Sequence, residues 1–173
     1  NKGSAMLVEF LGNDLSKIAN ALDKLILNTP KGAPITAKEI EANIGISKDY
    51  NVFELQKALS FKNTEKVYRI INHFNANAKA HPMVVTIGSL YTYFAKIYKV
   101  HSLPSPKKKS IATLLRVHEF FADEYIAAAR NYPRWKVEQV FKLLLEYDLK
   151  NKGLDSNADE GELMKELAFR ILH

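Results

Sequence analysis

The sequence contains no cysteine. Disulfides, thiolate metal sites and thiol nucleophiles are therefore excluded. Glycine is sparse, and Gly32, Gly45, Gly88, Gly153 and Gly161 each stand alone. No run of glycines precedes a Lys-Ser/Thr pair, so the backbone cradle of a phosphate-binding loop is missing. The five histidines, His73, His81, His101, His118 and His173, never pair at one-turn spacing, and no metal motif forms around them. No serine sits in a nucleophile-elbow pattern. No apolar run approaches the roughly 20 residues that span a bilayer, and no secretory signal pattern opens the chain. A cytoplasmic, non-membrane, non-catalytic protein without cofactor or metal is the expectation.

What is present is helical periodicity. Hydrophobic residues make up 47% and charged residues 25% of 173 positions, the balance of a globular chain with a sizeable core. Apolar residues recur at i, i+3 and i+4 along nearly the whole length, without repeats or low-complexity segments. A short stretch, Ala5 to Leu11, stops at Gly12, and Asn13-Asp14 is an N-cap pair for a helix with Leu15, Ile18, Leu22, Leu25 and Ile26 on one stripe. That helix ends before Pro30. Thr36 and Glu39 have capping-box spacing ahead of Ile40 and Ile44, and Gly45 closes the short helix. Residues 46–51 read as a connection, with a domain boundary there.

Longer helices follow. Phe53, Leu55, Ala58 and Leu59 mark one. Asn63 or Thr64 caps the next, with Val67, Ile70, Ile71 and Phe74. Pro82 suits a helix start. The helix after it, through Val84, Ile87, Leu90, Phe94 and Ile97, is nearly apolar all round and is expected to be the most buried element. Pro82 to Ile87 has strand-like content, but its continuation has helical spacing. Ser102 to Ser110 reads as a loop containing Pro104, Pro106 and Lys107-Lys108-Lys109. Helices are then expected over Ile111–Val117 and from about Glu119 to Tyr132. Pro133 opens another, ended by Gly153. Asp155 to Glu160 is a polar connector before the last helix, with Leu163, Leu167, Phe169 and Ile171.

Three clusters invite a chemical reading. His118-Glu119 with Asp123 fits a helix start with first-turn negative charge rather than a metal site. Asp159, Glu160, Glu162 and Glu166 likewise fit a solvated helix start, since acid–base work needs a pocket that perturbs pKa values. The net charge of +6 favours acidic partners or nucleic acid. Lys107, Lys108 and Lys109, with Lys150 and Lys152 near a helix end, are the candidate phosphate contacts, and Lys96 and Lys99 add charge on the central helix. The plain alternative is a solvated lysine surface. Tyr91, Tyr93, Phe94 and Tyr98 could stack bases, but at helical spacing they read as core.

Several segments together resemble one family. Leu7-Val8-Glu9-Phe10-Leu11-Gly12-Asn13-Asp14-Leu15, followed by Leu22-Asp23-Lys24-Leu25, is similar to the lid segment of delta subunits of the bacterial DNA polymerase III clamp loader. Ile35-Thr36 with Glu39-Ile40 resembles the next lid helix. Phe53-Glu54-Leu55, Tyr125 to Tyr132, Leu144 to Gly153 and Glu166 to Leu172 resemble the collar region, in order and nearly end to end. The resemblance implies an all-α fold, with residues 1–48 a partial three-helix lid-like unit and residues 49–173 a collar-like helical bundle. It implies a non-catalytic assembly module that holds delta in a five-subunit ring with the motor and delta-prime subunits during DNA replication. A polymerase label belongs only to the whole holoenzyme. The family's N-terminal AAA+ domain, through which delta engages the sliding clamp, is expected to lie outside this sequence, an excised piece. DNA contact would be weak. The alternative is an independent basic helical DNA-binding or adaptor protein, although no recognition-helix motif is present.

Overall fold

A computed structural model of the protein describes residues 7, 11, 15–44, 50–154 and 158–173. The expected stop at Gly12, the Asn13-Asp14 cap, the Gly45 stop, the connection over 46–49, the boundary between 48 and 49 and the start of the connector at Asp155 lie outside the described residues. Among the described residues the fold is all-α, without strands. The chain divides into two compact units, Asn1–Asn51 and Val52–His173.

The first unit contains α1 (Leu15–Asn28) and α2 (Ala37–Ile44). Leu7, Leu25 and Ile40 form its core, flanked by Leu11, Ile35 and Ile44. The Thr36 backbone N–H donates to Glu39 Oε2 at 3.0 Å, which fixes the start of α2. Leu15, Leu22 and Ile26, expected on the buried stripe of α1, are exposed. Helix α2 packs on α1, and the buried residues of α1 are Ala21 and Leu25.

The second unit is a bundle of α3 (Val52–Ser60), α4 (Thr64–Ala76), α5 (Met83–Val100), α6 (Lys108–Leu115), a 3-10 turn (Glu119–Phe121), α7 (Ala122–Asn131), α8 (Arg134–Asn151) and α9 (Glu160–Leu172). Helix α5 packs on α6, α7 and α8, and α9 packs on α4 and α8. The expected helix over Glu119–Tyr132 is split. His118 Nδ1 accepts the Phe120 N–H at 3.1 Å, which closes a tight turn before α7 starts at Ala122. Helix α6 starts earlier than expected. Lys108 and Lys109 lie in its first turn rather than in a loop, because Lys107 already takes the extended cap conformation after Pro106.

Helix ends in this unit are set by specific polar contacts. Asn63 Oδ1 accepts the Lys66 N–H at 3.0 Å and starts α4. Asp159 Oδ1 accepts the Gly161 N–H at 2.6 Å and starts α9. Helix α8 ends in a Schellman turn: Leu154 N–H reaches Leu149 O at 3.1 Å, Gly153 N–H reaches Lys150 O at 3.0 Å, and Gly153 has φ +83°. The same turn closes α3 and α6 with charged residues at the left-handed position, Lys62 (φ 49°) and Arg116 (φ 53°). Each costs about 1 kcal/mol relative to glycine there.

Beneath the end of α3 lies a buried polar network. Ser60 bonds to the Tyr93 hydroxyl, and Ser60 Oγ donates to Gln56 O at 2.8 Å. Asn131 Nδ2 donates to Ser60 O at 2.7 Å, and the Tyr132 hydroxyl donates to Leu59 O at 3.0 Å. The carbonyls at the end of α3 thus find partners on the segment that ends α7, as buried carbonyls must.

Candidate interaction surfaces

The five lysines singled out from sequence do not form one site. Lys107, Lys108 and Lys109 are exposed at the start of α6. Lys108 pairs with Asp123 at 2.6 Å, across the turn that precedes α7. Lys150 pairs with Glu146 at 2.8 Å and lies 4.5 Å from the Tyr147 ring centre. Lys152 pairs with Asp148 at 2.6 Å. The hydrogen bond from Lys150, with Arg170 alongside at 2.7 Å, holds the Glu146 carboxyl below the usual range. Contacts of Tyr98 with Glu138 and of Tyr91 with Phe141 make α5 and α8 antiparallel. The lysines that follow α5 and those that end α8 therefore sit at opposite ends of a helix pair roughly 27 Å long.

The acidic cluster is dispersed into structural roles. Asp159 caps α9, and Glu160 Oε1 accepts the Met83 N–H at 2.7 Å, capping α5 from a distant helix because Pro82 offers no side-chain cap. Glu162 and Glu166 are exposed. The aromatic set is divided as well. Tyr93 and Phe94 are core, Tyr98 stacks under Arg134 at 4.9 Å, and Tyr91 is exposed. Among the described residues no three His, Asp or Glu side chains converge.

Two surfaces that sequence periodicity does not reveal stand out. The first lies on α5, the helix expected to be the most buried element, which carries eight buried residues yet leaves one apolar face open. Val84, Val85, Gly88, Tyr91 and Thr92 face solvent, at 64% exposure for Val85 and 56% for Tyr91. The antiparallel register sets this stripe alongside Leu145 (62% exposed) and Leu149 on α8, with Phe141 against Tyr91 at 5.4 Å. The signal that could have pointed to it is Gly88. A β-carbon there would meet nothing within 4 Å, so no packing within the bundle requires glycine.

The second is a groove of about 450 Å³ between α5 and α6. Thr92, Ala95, Lys96 and Lys99 of α5 line it on one side, and Leu114 and Leu115 of α6 with Arg116 on the other. The Lys96 ammonium lies 5.9 Å from the Tyr125 ring centre. Sequence reading found Lys96 and Lys99 and missed Arg116, whose position in the groove depends on the left-handed turn that ends α6.

Residues 49–171 match the family model described as DNA polymerase III delta subunit, C-terminal domain. The chain belongs to this family. No curated protein matches it. The match runs from just before α3 into the last turn of α9, so the second unit is the C-terminal domain of a delta subunit. The first unit lies almost wholly outside the match. The family is a component of the replicative clamp loader, and its description names no catalytic activity. No described helix of this delta-subunit domain is long and apolar enough to cross a membrane.

Proposed function

We propose that this delta-subunit domain is the non-catalytic assembly module that holds its subunit in the clamp-loader ring, beside the motor and delta-prime subunits, in the cytoplasm during DNA replication. In this reading residues 1–48 belong to a lid-like unit, and contact with the sliding clamp falls to an N-terminal domain outside this sequence. The observation that carries the proposal is the exposed apolar face formed by Val84, Val85, Gly88 and Tyr91 of α5 with Leu145 and Leu149 of α8. Contiguous exposed apolar patches of this kind mark interaction sites. Burying such side chains contributes about 1.5–3 kcal/mol each. The reading as an independent DNA-binding protein has weaker support, because Lys108, Lys150 and Lys152 are each engaged by a carboxylate.

The test is to mix the chain with the motor and delta-prime subunits of its own organism and weigh the product by light scattering. A defined complex with one copy of the chain is expected. Val85→Asp with Leu145→Asp should abolish it while leaving the helical circular dichroism intact. Absence of a complex at micromolar concentration with folded partners, or equal assembly by the double variant, counts against this function for the face.

A further inference from the structure

The groove between α5 and α6 lies on α5's C-terminal half and meets the solvent-facing stripe at Thr92, but its composition is different. All three charged side chains at its border, Lys96, Lys99 and Arg116, are cations, and none of its lining residues is acidic. The rest of its lining is Leu114, Leu115 and the small side chains of Thr92 and Ala95, which leave room for the side chains of an incoming helix. Arg116 reaches this position only through a left-handed backbone conformation that glycine adopts at no steric cost.

We propose that the α5–α6 groove binds an acidic amphipathic helical segment of a neighbouring protein. Leucine-type anchors of that segment pack on the exposed Leu114, and flanking carboxylates meet Lys99 and Arg116. Phosphate backbone is the poorer occupant. A nucleic-acid strand presents a charge at every nucleotide and needs a continuous basic track. Here the nearby Lys108 is occupied by Asp123, and Leu114 and Leu115 make part of the lining apolar. The inference deepens the assembly reading by naming the chemistry of one partner segment.

The test titrates the 173-residue chain into a fluorescein-labelled synthetic helix with leucines at i, i+3 and i+7 and glutamates on either side, followed by fluorescence polarisation at physiological salt. Micromolar binding is expected. Arg116→Gly should weaken it roughly ten-fold while the fold becomes more stable. Lys62→Gly is the matched control: it makes the same charge change at the equivalent left-handed turn of α3 and should leave affinity unchanged. No binding by the wild-type chain, equal affinity in the Arg116→Gly variant, or an equal loss in the Lys62→Gly variant overturns the proposal. Displacement of the peptide by single-stranded oligothymidylate overturns it in favour of a phosphate site. Because the titration needs no other subunit, its failure is distinct from a failure of the light-scattering experiment.

Discussion

At the residue scale the most informative positions are those where a polar group is buried and must find a specific partner. Tyr132 is fully buried, and its hydroxyl supports Leu59 O, which also accepts the Lys62 N–H at 2.9 Å. With one acceptor contact remaining, Tyr132→Phe should cost about 0.5–1.5 kcal/mol in urea unfolding. Asn131→Ala removes the side-chain donor to Ser60 O and should cost about 1–3 kcal/mol, the penalty for a poorly satisfied buried carbonyl. Burial also pushes the Tyr132 and Tyr93 hydroxyls well above the ordinary tyrosine range. The folded state therefore keeps these protons after the unfolded chain has begun to lose them, and its stability is complete below about pH 10. Above that pH the urea midpoint should fall, and it should fall less steeply in Tyr132→Phe. Identical slopes for the two proteins would remove Tyr132 from the account.

At the scale of elements, α5 has conflicting demands. Its apolar residues exceed what the bundle buries, and Gly88 weakens the helix with no internal contact to justify it. Gly88→Ala should therefore stabilise the isolated chain by about 0.5–1 kcal/mol. If a neighbouring backbone approaches Gly88 closely, the same change should reduce assembly in the light-scattering experiment. Glu160→Ala should cost about 1 kcal/mol through the start of α5, read as a lower urea midpoint. Element types were legible because they rest on local signals: the cap at Asn63, the carboxylates that open α9, the starts after Pro82 and Pro133, and the stop at Gly153. The start of α6 was less legible, since Pro106 and three lysines look like loop whether or not a helix begins among them. The solvent-facing stripe of α5 left no trace in the sequence beyond Gly88. A helix that is apolar all round gives no phase to its hydrophobic pattern, so core and interface stripes look alike. The left-handed turn at Arg116 was hidden for a related reason: glycine announces such a turn and arginine does not.

At the scale of the whole molecule, the family match and the compact second unit bear on the same residues. A fragment of residues 49–173 should accordingly keep its helical circular dichroism and unfold in one cooperative urea transition. A broad, non-cooperative transition would mean that the bundle depends on residues 1–48. The positive charge of the chain does not gather into one strip. Lys108, Lys150 and Lys152 are ion-paired at opposite ends of the α5–α8 pair, and Lys99 and Arg116 border the groove. The influence of these cations on a partner is therefore local, set by short-range contacts more than by a long-range field.

The contact between Met83 N–H and Glu160 joins residues 77 apart in the chain. At ribosomal rates of about 5–20 residues per second, Glu160 is synthesised roughly 4–15 s after Met83. Throughout that interval the first turn of α5 lacks its Glu160 cap, and the face of α4 that α9 covers remains open. The arrival of α9 thus completes two things at once, the cap of α5 and the cover over α4, on helices synthesised seconds before it.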